Sequence, residues 1–131
     1  MASPDASALR VLVVDDSSLV RMYYRDVLEK AGHEIDQAMN GLEGMEKALS
    51  GQFDLLIVDV NMPKMDGFSF LRELRRSGTR AGLVPALVIT TEAGEQDIQE
   101  ARAAGANFYL VKPVSDVDLR TYVAILGGAR S

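Results

Sequence analysis

Four apolar runs in this chain each end in residues able to do chemistry. Val11-Leu12-Val13-Val14 runs into two carboxylates, Asp15 and Asp16. Leu55-Leu56-Ile57-Val58 runs into a third, Asp59. Leu87-Val88-Ile89 ends in the hydroxyls of Thr90 and Thr91, and Phe108-Tyr109-Leu110-Val111 ends in Lys112 followed by Pro113. Three ionised carboxylates held close together repel one another unless a proton or a cation is bound. All-oxygen donors suit Mg²⁺, which takes octahedral oxygen ligands and keeps several waters. A lysine adds a compact positive charge, and a threonine adds a hydrogen-bond donor. Such a set can stabilise charge on a transferring phosphoryl group, and an aspartate can serve as its covalent acceptor. Taken singly, each residue has a plainer role. Asp15 and Asp16 could cap a helix, Asp59 could end a turn, Thr90 and Thr91 could finish a strand, and Lys112 could sit in a loop. Their coincidence at four strand ends favours one shared site.

The elements that must position them alternate between strand and helix patterns. Strand 1 is expected from Arg10 to Asp15, and helix 1 from Ser18 to Ala31, with Leu19, Met22, Tyr23, Val27 and Leu28 at helical spacing and Gly32 closing it. Strand 2, Glu34 to Ala38, alternates as a strand near a sheet edge does. Helix 2, Gly41 to Leu49, sets Leu42, Met45, Ala48 and Leu49 on one face. Strand 3, Asp54 to Val58, is apolar after its first residue and therefore central; the turn residues Pro63 and Asp66-Gly67 follow it. Helix 3 is expected from Phe68 to Arg76, strand 4 from Ala86 to Thr90 and helix 4 from Glu95 to Ala104. Strand 5 is placed from Asn107 to Val111, and helix 5 from Asp116 to Leu126 with Ser115 as its N-cap. Five βα units with right-handed crossovers imply an α/β fold: a doubly wound, five-stranded parallel sheet with five helices on its two faces. In such sheets the site lies outside the C-terminal ends of the strands.

Composition narrows the rest. The chain has 131 residues, 47% hydrophobic and 25% charged, and fits one soluble domain. It has no cysteine, which excludes disulfides, iron–sulfur clusters and thiolate zinc and suits a cytoplasmic protein. Its single histidine, His33, reads as an exposed turn residue, and the methionines, Met22, Met39 and Met45 among them, as core filler. A net charge of −5 argues against nucleic-acid binding. The one basic cluster, Arg72, Arg75, Arg76 and Arg80, reads as a solvated helix C-terminus. No stretch is long and apolar enough for a membrane span. Gly41 and Gly44 form no phosphate-binding glycine loop. Residues 1–9 read as a flexible tail before a domain over 10–127.

From Arg10 to Leu126 the chain resembles a two-component receiver domain. The segments that carry the resemblance are Val13-Val14-Asp15-Asp16-Ser17, Val58-Asp59-Val60-Asn61-Met62-Pro63-Lys64-Met65-Asp66-Gly67, Ile89-Thr90-Thr91-Glu92-Ala93 and Tyr109-Leu110-Val111-Lys112-Pro113. The resemblance implies a flavodoxin-like strand order of 2-1-3-4-5 and Asp59 as phosphoacceptor. Asp15, Asp16, Asp59 and the backbone carbonyl of Asn61 would hold Mg²⁺. Lys112 would pair with the phosphoryl group, Thr90 would hydrogen-bond it, and the backbone N–H of Thr91 would contribute. Tyr109 falls where receivers carry an aromatic ring that turns inward, and Lys112–Pro113 where they carry a cis bond. A histidine kinase would be the phosphodonor, and helix 4, strand 5 and helix 5 the surface for a downstream protein. With only five residues after helix 5, the expected subclass is the stand-alone, chemotaxis-type (CheY-like) receiver. Two alternatives stay open: a phosphorelay intermediate that hands its phosphoryl group to a histidine phosphotransfer protein, and a flavodoxin-like cofactor module. The second would need a glycine- and hydroxyl-rich loop where Asp16-Ser17-Ser18-Leu19 stands.

Overall fold

Continuous apolar runs make good strands only where both sheet faces are covered, and three of these runs occupy the middle of the sheet. The computed structural model describes residues 8–128. In chain order it contains β1 (Arg10–Val14), α1 (Ser18–Lys30), β2 (Glu34–Ala38), α2 (Gly41–Ser50), β3 (Leu55–Val58), α3 (Gly67–Arg75), β4 (Ala86–Thr90), α4 (Glu95–Ala104), β5 (Phe108–Val111) and α5 (Asp116–Gly128). A short 3₁₀ turn at Arg80–Leu83, which no sequence signal announced, leads into β4. The sheet is fully parallel with strand order β2-β1-β3-β4-β5. Strand positions agree with expectation to within a residue, and β2 is an edge strand.

Alternation along the strands divides the core in two. Leu12, Val14, Leu56, Val58 and Val88 face Ala48 of α2, Phe70, Leu71 and Leu74 of α3, and Ala101 and Ala104 of α4. Val11, Val13, Leu55, Ile57, Leu87 and Ile89 face Tyr24 and Leu28 of α1 and Leu119 and Val123 of α5. All the helices but α4, whose N-cap is Gly94, begin where short polar side chains cap them. Ser17 accepts from Val20 N–H, Asn40 from Glu43 N–H, Asp66 from Ser69 N–H, and Ser115 from Asp118 N–H.

Several sequence expectations need correction. Helix 1 turns Val20, Tyr24, Val27 and Leu28 inward and leaves Leu19, Met22 and Tyr23 exposed. Helix 2 buries Gly41, Gly44 and Ala48 while Leu42 and Leu49 are exposed, and Met39 is exposed too. Only Met45 of the three named methionines packs against the core. Periodicity found the helices, but surfaces carry many apolar groups, so it did not fix their rotation. His33 is buried rather than exposed, because Nδ1 accepts the Leu9 N–H at 3.1 Å. Leu9 itself is buried in the α1/α5 core, where Gly127 leaves room for it. Residues 1–7 lie outside the described residues.

Arg75 is likewise no solvated end-of-helix charge. Its guanidinium donates to the carbonyls of Gly82 (3.1 Å), Val84 (2.6 Å) and Gly105 (2.7 Å) and to Asn107 Oδ1 (3.2 Å). Gly105 adopts φ 108°, and a Cβ there would collide with the arginine stem. Arg75 thus ties the end of α3 to the entrance of β4 and to the α4–β5 turn.

Candidate functional site

The parallel ladder brings the strand ends to one edge. Val14 pairs with Val58 across β1 and β3, so Asp15 and Asp59 emerge side by side. Asp15 N–H donates to Ala38 O at 3.0 Å, and Asp59 N–H donates to Val14 O at 2.9 Å. Thr90 closes β4, and its carbonyl accepts Lys112 N–H at 2.8 Å. Opposite Asp59, the backbone of Gly67 approaches so closely that a Cβ would strike the Asp59 carbonyl. Glycine at the start of α3 therefore allows the acidic loop to fold back on the strand end.

One oxygen each from Asp15, Asp16 and Asp59 lies within 4.8 Å of the others. Asp15 and Asp59 are buried and Asp16 is exposed. Lys112 Nζ sits between the two buried ones, 3.0 Å from Asp15 Oδ2 and 3.5 Å from Asp59 Oδ1. The other Asp15 oxygen accepts Ser17 N–H at 2.9 Å. Burial, reinforced by the negative charge of Asp15 and opposed by Lys112, pushes the Asp59 carboxyl up to about 6. Confined negative charge is what a bound divalent cation would relieve. The donors fit Mg²⁺: all are oxygens, two carboxylates are fixed by the fold, and exposed Asp16 leaves the site open to water.

Of the remaining expected residues, Thr90, Thr91 and Asn61 lie at the same edge, and Tyr109 lies within β5 opposite Val88. Thr90 is fully buried, with Oγ1 accepting Glu92 N–H at a long 3.4 Å. Thr91 and Asn61 are exposed in the loops after β4 and β3. Tyr109 is half-buried on the α4 side, and its hydroxyl donates to Glu92 O at 2.5 Å. Burial first, then Asp97 and Glu92, raise its phenol above the usual value. The Lys112–Pro113 bond is cis. Two nearby residues went unnoticed in the sequence. Arg21 reaches back from α1 to the Asp15 carbonyl. The buried Tyr24 phenol is pushed up by burial and by the charges of Asp15 and Asp59. Their helix positions gave no sign that they would point toward the acidic edge.

Known proteins are similar in sequence and in fold. Residues 11–124 match the model of the response regulator receiver domain. A gliding motility regulatory protein of Myxococcus xanthus is 37% identical over 110 residues, 84% of this chain and 14% of that protein. A protein-glutamate methylesterase/protein-glutamine glutaminase of Geobacter metallireducens is 47% identical over 82% of this chain and 30% of its own length. The chain thus spans less than a third of these relatives. Among solved structures, chemotaxis protein CheY4 of Vibrio cholerae superposes with a TM-score of 0.84 at 38% identity, covering 89% of this chain and 97% of that one. The receiver domain of a sensor histidine kinase from Pseudomonas aeruginosa, with a magnesium ion coordinated in its active site cleft, gives 0.85 at 25% identity, covering 92% and 98%. Acidic strand ends, a parallel sheet that gathers them and a family match across most of the chain converge on one assignment: this protein belongs to the response regulator receiver domain family.

Proposed function

We propose that the chain is a phosphorylation switch that accepts a phosphoryl group on Asp59 from a histidine kinase. The observation that carries this reading is the buried Asp59 carboxylate, 7% exposed, with Lys112 and Asp15 against it. A carboxylate oxygen of Asp59 attacks phosphorus, an O–P bond forms, and the N–P bond of the donor phosphohistidine breaks with its electron pair left on the imidazole. Mg²⁺, held by Asp15, Asp16, Asp59 and the Asn61 carbonyl, would supply charge neutralisation on the phosphoryl oxygens. Lys112 pairs with one of those oxygens, the Thr90 hydroxyl donates to another, and the Thr91 N–H adds a third donor. The cluster that repels itself in the free protein thereby becomes a cradle for a transferring anion. Output passes through α4, β5 and α5 to a downstream protein, and the likeness to motility and chemotaxis proteins supports that setting. No described helix is long and apolar enough to cross a membrane; the receiver family match is what supports a cytoplasmic setting.

Incubation with a small phosphodonor and Mg²⁺, followed by intact mass, tests the acceptor. Wild type should gain one phosphoryl group and Asp59→Asn none. Full labelling of the Asp59→Asn chain would overturn the assignment.

A further inference from the structure

We infer that Arg21 is the positioning residue of the cation site: from α1 it holds the Asp15–Asp16 peptide in the orientation that aims Asp16 at the bound ion. Arg21 lies one turn into the helix, and its N–H donates to Ser17 O at 3.0 Å. Its side chain folds back toward the sheet. Nη1 donates to Asp15 O at 2.7 Å, and Nε donates to Gln37 Oε1 at 3.0 Å. Gln37 pairs with Val13 in the β1–β2 ladder, so one guanidinium links α1, the end of β1 and the neighbouring strand. Only an arginine fork has donors spaced to serve both acceptors at once.

The carbonyl it grips belongs to the peptide between the two aspartates. Asp15 is further fixed by Ala38 O, Ser17 N–H and Lys112. The Asp16 carboxylate, by contrast, makes no hydrogen bond or ion pair among the described residues, and it is exposed. Its direction is therefore set by its backbone, and its backbone by Arg21. The charge of Arg21 works the other way. A cation near a cation site repels the ligand, so by Coulomb's law alone its removal would tighten Mg²⁺ binding. Positioning and charge thus give opposite signs for one substitution.

This inference rests on the reading of the acidic triad as a Mg²⁺ site. Mg²⁺ titration of the full chain, followed by amide NMR shifts of residues 15–17 and 59, separates the two. Unfolding in chelator reports whether each variant still folds. Arg21→Ala should weaken Mg²⁺ affinity about tenfold, the low end for outer partners of metal ligands. Its unfolding should stay cooperative, and Arg21→Lys should recover only part of the loss. Gln37→Leu, which removes only the group that aims the guanidinium, should weaken binding less. Equal or tighter binding by Arg21→Ala overturns the inference. If that variant does not fold, unchanged affinity in Gln37→Leu overturns it instead. A wild type without any Mg²⁺ response overturns the cation site and this inference with it.

Discussion

Asp59 holds a proton more tightly in the folded chain than out of it, because burial and Asp15 raise its carboxyl from 3.8 to about 6. A raised acid stabilises the fold below its unfolded value, and that contribution disappears as pH rises through the folded one. Without metal, this group should add about 1 kcal/mol of stability on going from about pH 7.5 to about pH 5. His33 acts in the opposite sense. Its imidazole is held below 6.5 by burial, so its contribution is present above that value and lost on acidification. Urea unfolding in chelator at the two pH values, in a His33→Asn background that keeps an acceptor for Leu9, isolates the carboxyl. Asp59→Asn should flatten the remaining slope, and an unchanged slope would move the titration elsewhere. The two groups also differ in how they could be read. Asp59 was legible because it ends an apolar run, which is local information. His33 was not, because its buried imidazole is held by the backbone of Leu9, 24 positions away in sequence.

At the level of elements, a strand's existence is written in a run of residues, but the rotation of a helix is not. The pattern of helix 1 named Leu19, Met22, Tyr23, Val27 and Leu28; α1 does turn Val27 and Leu28 to the core, but turns Val20 and Tyr24 inward where the pattern placed Leu19 and Tyr23, one position away. The same distinction hid Arg75 in a cluster of arginines of which Arg72 merely pairs at the surface with Glu100. Arg75 satisfies three carbonyls and an amide at the junction of α3, β4 and β5. Lysine has one nitrogen where this position uses three, so most of those acceptors would lose their donor. Arg75→Lys should cost about 3 kcal/mol, in the range for hydrogen bonds to a charged, partly buried group. Denaturant midpoints measure the cost, and a change below about 0.5 kcal/mol, typical of surface substitutions, would mean the clamp is idle.

Across the whole molecule, the site and the proposed output face are joined by a short hydrogen-bonded path. Thr90 Oγ1 accepts from Glu92 N–H, and Glu92 O accepts from the Tyr109 hydroxyl. If Thr90 moves onto a phosphoryl group, the Glu92 N–H loses its partner, and the loop whose carbonyl holds the Tyr109 hydroxyl is freed to shift with the ring. A shift from 1:99 to 99:1 needs about 5.5 kcal/mol of differential stabilisation. Charge-assisted bonds of about 1.5–3 kcal/mol each reach that scale in small number. Thr90→Ala should therefore still gain a phosphoryl group by intact mass while losing NMR shift changes around α4 and Tyr109 on adding beryllofluoride. Full wild-type changes in that variant would break the proposed link. Tyr109→Phe should alter the starting state alone.

The ion pair between Lys112 and Asp15 spans 97 positions of sequence. Its timing during synthesis follows from that separation. A ribosome adds residues one after another, at roughly 5–20 per second, and domains fold as units once their chain has emerged. All three acidic residues leave the ribosome well before Lys112, the cation the chain itself supplies, which directly follows β5, the last of the five strands in sequence. Until then the carboxylates lack their internal counterion, and Thr90 lacks the neighbouring strand that covers β4. The pocket is thus completed only with the final strand, so that a nascent chain acquires its signalling chemistry no earlier than its closed fold.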